Sequence, residues 1–340
     1  MKEPSLAPLA LSGLEPEDLA GLIPDEPAFR GTQIFQWIHR GVSGFQDMTD
    51  LPKSLRETLN IRYSLHGSRA VEALRDQDGT VKYRFLLSDG CSVEAVILTD
   101  EQGRKTACLS TQAGCAMGCA FCRTGAMGFK RNLTSGEIID QFSHGLTTGG
   151  PISNIVFMGM GEPFLNEEAL YKAIRILTHP AGPALSARRI TVSSCGIAPA
   201  IRRFACLAPG ALLAVSVPTA VEEKRQRIMP GASRYPLEEV KAAMKAHQAA
   251  TGDRITVETV LFGGFNTSEE DGEALLSFIR GLQVVVNLIP FNPFEGTTFR
   301  EPSQQEIETL AGLLHREGIP VTRRYRRGRG ILGACGQLAT

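Results

Sequence analysis

Nowhere does this 340-residue chain run to the roughly 18 consecutive apolar residues that a membrane-spanning helix requires, so no such helix is expected. A leader pattern is missing too. Met1-Lys2-Glu3-Pro4 leads into leucines interrupted by Pro8 and Glu15, not into a charged and then apolar run, and the expected location is the cytoplasm. Net charge is zero, with 36 basic residues against 36 acidic ones, which argues against a protein that coats nucleic acid non-specifically. There is no low-complexity segment and no short repeat, which removes solenoids and disordered tails from consideration. Apolar residues make up 43% and charged residues 21%, the balance of an ordinary globular protein with one large domain and a smaller one. Eight cysteines are present. A chain of this size builds its own core, so they read as chemistry and not as staples. Charge is concentrated at one place, where Arg323, Arg324, Arg326, Arg327 and Arg329 crowd the stretch before Cys335. Taken alone, such a run reads equally well as a solvated charged turn.

Apolar residues at helical spacing predict a helix over Phe29–His39, and Asp50-Leu51-Pro52 marks the start of another. Val81–Leu87 and Val93–Leu98, separated by the turn signal Ser88-Asp89-Gly90, read as strands. Together these form an N-terminal accessory domain over residues 1–100. From about Lys105 the pattern alternates. Short apolar runs at Thr106–Ser110, Asn154–Met158, Arg189–Ser194, Leu212–Val217, Ile255–Leu261 and Val284–Ile289 are separated by helix-like segments. The clearest of these are Ser135–Gly145, Glu167–Leu177, Leu237–Ala250 and Glu269–Arg280. Six strand–helix repeats imply an α/β fold with a parallel sheet, either curved into a partial barrel or open and doubly wound. The core is assigned to residues 101–322 and a basic C-terminal segment to 323–340. Polar, glycine-rich clusters follow the predicted strands at Gly114–Cys122, Gly159–Pro163, Ser193-Ser194, Ser216 and Phe291-Asn292-Pro293. In a barrel such loops share one rim, where sites assemble.

Cys115-Ala-Met-Gly-Cys119-Ala-Phe-Cys122 is the strongest chemical signal. Three thiolates in eight residues can hold three irons of a [4Fe–4S] cube and leave the fourth open. An open iron can chelate the amino and carboxylate groups of S-adenosylmethionine, and an electron delivered there breaks a C–S bond. Structural zinc is the rival reading, but it wants four ligands, and the next histidine, His144, falls in a predicted helix far from the motif. Three cysteines buried by chance is the third. In Gly159-Met160-Gly161-Glu162-Pro163, Glu162 either receives the amino group of such a cofactor or is a solvated turn carboxylate. Ser193, Ser216 and Asn292 are polar anchors on the same rim or ordinary cap and turn residues.

The run from Cys108-Leu-Ser-Thr-Gln-Ala-Gly-Cys115 to Gly128-Phe-Lys-Arg-Asn-Leu-Thr134 resembles RlmN and Cfr, the radical SAM RNA adenosine methyltransferases. So do Met158–Asn166, Asn287–Gly296 and the terminal Ala334-Cys335-Gly336-Gln337-Leu338. The resemblance runs from about Phe29 to the C-terminus and is nearer to RlmN. It implies a partial (β/α)6 radical SAM barrel with a small N-terminal α+β domain that contacts RNA. It implies a cluster on Cys115, Cys119 and Cys122, with S-adenosylmethionine bound by Gly161, Glu162, Ser193, Ser216, Val217, Pro218 and Asn292. The implied reaction uses two cysteines. Cys335 takes a methyl group from one S-adenosylmethionine. A second is cleaved to a deoxyadenosyl radical that removes hydrogen from the S-methyl group, and the carbon adds to C2 of an adenine in 23S ribosomal RNA, with tRNA as a second substrate. Glu94 removes the C2 proton, and Cys108 resolves the protein–RNA adduct by forming a disulfide with Cys335. An aromatic carbon between two nitrogens is electron-poor, which is why a radical route with a carrier, a resolving thiol and a base suits it. The arginine run would grip phosphates around an extruded base. Cys91, Cys195 and Cys206 have no part in the scheme and are expected to pack.

The partners implied are RNA and an electron donor such as flavodoxin or ferredoxin, with no membrane and a monomeric chain. Two departures from the family stand out. Ser216-Val217-Pro218-Thr219 replaces Ser-Leu-His-Ala, and Gly328-Arg329-Gly330-Ile331 replaces an acidic Gly-Asp-Asp-Ile. Methylation at C8 in the manner of Cfr, a paralogue with another RNA target, and a zinc-stabilised RNA-binding protein are the alternative readings.

Overall fold

In the computed structural model, which describes residues 8–324 and 327–340, one ten-stranded sheet organises the chain. Its order from edge to edge is Ser68–Arg75, Val81–Leu87, Ser92–Thr99, Lys105–Cys108, Asn154–Phe157, Ile190–Ser194, Leu212–Ser216, Ile255–Leu261, Val284–Pro290 and Val321–Arg323. The first four strands, through Lys105–Cys108, are joined antiparallel; from Lys105–Cys108 to the far edge each next neighbour is parallel. Ile190, Val192, Val215, Ile255, Val257, Val286 and Leu288 are all buried, as parallel strands covered on both faces must be.

The helices between them start where the sequence supplies caps. Thr134 Oγ1 accepts the Glu137 amide at 3.2 Å while Glu137 Oε2 accepts the Thr134 amide at 2.9 Å, and the same reciprocal box recurs at Ser268/Asp271 and Ser303/Glu306. All six expected core strands and the four expected helices are present, as is Phe29–His39, and the helix expected after Pro52 spans Lys53–Arg62. Unanticipated are the strands Ser68–Arg75 and Val321–Arg323 and the helices Ala198–Leu207, Glu222–Ile228 and Gln304–Arg316. The α/β class with a parallel core and an N-terminal accessory region is as expected. The N-terminal strands extend the core sheet instead of forming one of their own. Among the described residues no helix is long and apolar enough to cross a membrane.

Candidate active site

Leaving the strand Lys105–Cys108, the chain forms a short ribbon in which Gln112–Gly114 pairs with Phe129–Asn132. This ribbon pinches off the loop carrying Cys115, Cys119 and Cys122. Gly114 permits the pinch: its φ is +75°, and an added Cβ would lie 1.9 Å from the Gly128 oxygen, which accepts the Cys115 amide. The loop is clamped from three directions by main-chain bonds. The Ala120 amide donates to the Ile228 carbonyl at 2.9 Å, the Gly231 amide to Met117 at 3.0 Å, and the Arg123 amide to Gly336 at 2.9 Å.

Burial pushes the Cys115 thiol up to about 12 and Cys119 well above the ordinary thiol range, so both need a strong positive partner to ionise. Among the described residues no three Cys, His, Asp or Glu side chains converge on a single ion. Tetrahedral zinc, with Zn–S bonds of about 2.3 Å, holds its sulfurs about 3.8 Å apart. Cys115, Cys119 and Cys122 bring three thiols from one loop, the donor set of a [4Fe–4S] cluster that leaves one iron open, whereas a closed zinc site takes four ligands.

The next glycine-rich turn lies against the first. A Cβ on Gly159 would meet the Leu109 oxygen at 2.7 Å, and one on Gly161 (φ +99°) the Gln112 side chain at 2.5 Å. Ser110 Oγ accepts the Met160 amide and Gln112 Oε1 the Glu162 amide, each at 2.8 Å, so the turn is held by the residues just before the cysteine loop. Glu162 is buried. Its Oε1 accepts the Phe164 amide at 3.1 Å and its Oε2 the Cys195 amide at 2.9 Å; burial still raises its pKa. Cys195 is buried, as a packing residue would be, and its backbone amide also fixes the Glu162 carboxylate at the inner cavity. Cys206 is not a packing residue, since it is exposed.

Two adjoining cavities open at this rim and share Met158, Ile289, Pro290, Asn292, Cys335 and Leu338. The inner one is lined by Cys122, Gly161, Glu162, Ser193, Ser216 and Glu258. The outer one, about 370 Å³, is lined by Cys108, Asp100, Arg323, Arg324 and Arg327. Cys335 therefore borders both. Cys335 is an exposed residue and Cys108 a buried one; burial raises the pKa of both thiols, that of Cys108 up to about 12. Arg324 opposes that rise at both thiols. It lies 3.7 Å from Glu258 Oε1, whose other oxygen accepts the Ser193 hydroxyl at 2.7 Å. Neither Glu258 nor its pairing with Arg324 could be singled out from the sequence.

The segment bearing Cys335 is anchored along its length. Asn292 Nδ2 donates to the Cys335 carbonyl at 3.3 Å, Thr124 Oγ1 to Leu338 at 2.7 Å, and the Gly328 and Gly330 amides to Asp78 and Asp76 at 2.8 and 2.9 Å. A Cβ on Gly330 would sit 2.9 Å from Asp76 Oδ1. An acid at that position would face Asp76 directly. Arg329 pairs with Glu301 at 3.2 Å on the surface, Arg327 approaches Glu101 at 4.0 Å, and Arg326 lies outside the described residues.

Three expected site residues are elsewhere. Val217 is buried with its amide bonded to Glu258 O, and the Pro218 carbonyl is taken by Asn266 Nδ2, so neither lines the inner cavity. Glu94 lines neither cavity. It is buried, 2.9 Å from Lys82 Nζ, and accepts the Ala339 amide at 3.0 Å.

A family model of the radical SAM superfamily matches residues 109–279, and one of the ribosomal RNA large subunit methyltransferase N-terminal domain matches residues 11–64. The chain is 46% identical over 329 residues to a "probable dual-specificity RNA methyltransferase RlmN" of Treponema pallidum, covering 97% of each. It is 43% identical to the protein of the same name from Thermus thermophilus, covering 96% of this chain and 92% of that one. The crystal structure of a radical SAM methyltransferase from Sphaerobacter thermophilus superposes with a TM-score of 0.93 at 41% identity, over 97% of this chain and 99% of that one. The protein belongs to the radical SAM superfamily and, within it, to the RlmN family of methyltransferases.

Proposed function

We propose that this enzyme methylates C2 of an adenine in 23S ribosomal RNA, with tRNA as a second substrate, by way of an S-methyl group on Cys335. The relatives are named dual-specificity RNA methyltransferases. The observation that carries the reading is that Cys335 borders two cavities, one shared with Cys122 and Glu162 and the other with Cys108.

Radical SAM enzymes work with a [4Fe–4S] cluster and S-adenosylmethionine. Cys115, Cys119 and Cys122 hold the cluster. Glu162, with Gly161, Ser193, Ser216 and Asn292, holds S-adenosylmethionine in the inner cavity. When bound, the cluster supplies the electron that splits S-adenosylmethionine and so activates the S-methyl carbon. The Cys335 sulfur loses its proton, accepts the methyl group and carries it to the adenine. The S-methyl carbon gives up one hydrogen atom and bonds to C2, and the adduct loses one electron and the C2 proton. The Cys108 thiolate then attacks the Cys335 sulfur, the C–S bond breaks with its electron pair on the carbon, which takes a proton to complete the methyl group, and a Cys108–Cys335 disulfide is left for two-electron reduction before the next turnover. Arg324 is the cation beside both thiols and favours their ionised forms. Glu94 takes the C2 proton once the C-terminal segment has moved off it, since Lys82 and the Ala339 amide occupy its carboxylate here. The N-terminal region, residues 1–100, and Arg323 and Arg327 at the outer cavity contact RNA. The chain acts as a cytoplasmic monomer, reduced by a flavodoxin- or ferredoxin-class carrier.

The test is mass spectrometry of nucleosides from rRNA and tRNA of cells with the gene, without it, and with Cys335→Ala. Loss of 2-methyladenosine in the last two is expected. Unchanged 2-methyladenosine, or loss of 8-methyladenosine instead, contradicts the reading.

A further inference from the structure

The helix Glu222–Ile228 carries Arg225, whose side chain is only 1% exposed and is the largest fully buried side chain among the described residues. A buried guanidinium is costly unless another charge offsets it. The protein offers little. Nη1 donates to the Tyr235 carbonyl at 2.9 Å and Nη2 to the Cys195 carbonyl at 3.2 Å, both neutral acceptors, and Nε has no partner. The paired carboxylate, Glu222, is 3.6 Å away and 30% exposed, and its other oxygen accepts the Leu237 amide.

The surroundings say where the missing negative charge lies. Arg225 is wedged behind Gly196, whose added Cβ would stand 3.3 Å from Nη2. Cys195, which accepts from Arg225, is bonded through its amide to Glu162 in the inner cavity. The helix itself is tied to the cysteine loop, because Ile228 accepts the Ala120 amide between Cys119 and Cys122. Three thiolates around a doubly positive iron–sulfur core leave a net negative charge, and reduction by one electron adds another. Net charge and nearby charge set such potentials.

We propose that Arg225 is the buried counter-charge of the iron–sulfur cluster and raises its reduction potential. This rests on Cys115, Cys119 and Cys122 being the ligands. Arg225 lines neither cavity and donates to the Tyr235 and Cys195 carbonyls, not to the loop cysteines, so it is a positioning residue acting through charge.

The test is an EPR-monitored redox titration with dithionite of anaerobically reconstituted full-length protein, without S-adenosylmethionine, with iron and sulfide counted in each sample. Arg225→Met should lower the equilibrium constant for reduction at least tenfold, about 59 mV for one electron. Arg225→Lys should stay within threefold of the wild type. Glu222→Gln should shift the couple the opposite way, because it removes the carboxylate competing for the guanidinium, and it decides the matter if Arg225→Met does not retain iron. An unchanged potential in Arg225→Met with full iron, or a lowered one in Glu222→Gln, overturns the proposal. So does an unchanged potential with weakened S-adenosylmethionine binding, which would assign the guanidinium to that ligand instead. Wild-type protein that takes up no iron and sulfide would defeat the ligand assignment itself, and the proposal with it.

Discussion

Cys335 and the three loop cysteines are all thiols near one rim, yet they separate by position. Cys335 sits on the C-terminal segment and borders both cavities, while Cys115, Cys119 and Cys122 share one loop. Cys335→Ala should therefore leave iron and sulfide content unchanged and abolish RNA methylation, checked by metal analysis beside a radiolabel assay. Glu94 is different, because its buried partner is Lys82. Glu94→Gln strands that ammonium and should cost about 3 kcal/mol in denaturant unfolding, with Lys82→Met added to it recovering most of the loss. A loss that the second substitution leaves untouched would mean the pair is not what holds Glu94. The cysteine motif was legible in the sequence because its geometry is local, eight residues closed on themselves. Glu258 was not, since a glutamate within a strand carries no mark of facing a cavity until the fold brings Ser193 and Arg324 to it.

At the scale of elements, the glycine at position 114 decides whether the loop can close. Gly114→Ala combines a left-handed backbone with a Cβ 1.9 Å from the Gly128 oxygen. It should reduce bound iron by more than half while far-UV circular dichroism stays that of the folded protein; full iron content would show that the ribbon tolerates opening. The six core strands could be read from sequence because each is a short apolar run between turn signals. Val321–Arg323 could not, being three residues with two polar side chains that pair only with the edge of Val284–Pro290. That Val217 and Pro218 lie off the inner cavity was illegible for a related reason. Strand periodicity says which residues are buried, but the Asn266 side chain determines where the Pro218 carbonyl is spent.

Across the whole molecule, the N-terminal region and the core share one sheet and are further joined where His66 meets Asp140 at 2.7 Å. Burial opposes a charge on His66, but the hydrogen bond and charge of Asp140 outweigh it and raise the pKa above the ordinary 6.5. A raised histidine contributes stability that is complete below its unfolded pKa and disappears as pH rises through the folded value. The stability difference between wild type and His66→Gln, measured by denaturant unfolding, should thus be largest near pH 6 and shrink towards pH 9. A difference that grows with pH contradicts this. The same sheet continuity sets the hairpin turn at Asp76 and Asp78 against the Cys335 segment, so the N-terminal region also positions Cys335, the methyl carrier proposed above. That carrier is the centre of the account, and one experiment reaches it directly: anaerobic incubation of the Cys108→Ala protein with S-adenosylmethionine, a reductant and ribosomal RNA fragments. The account predicts a covalent protein–RNA adduct that Cys335→Ala abolishes; protein with its cluster intact that forms no adduct, or forms one without Cys335, would contradict it.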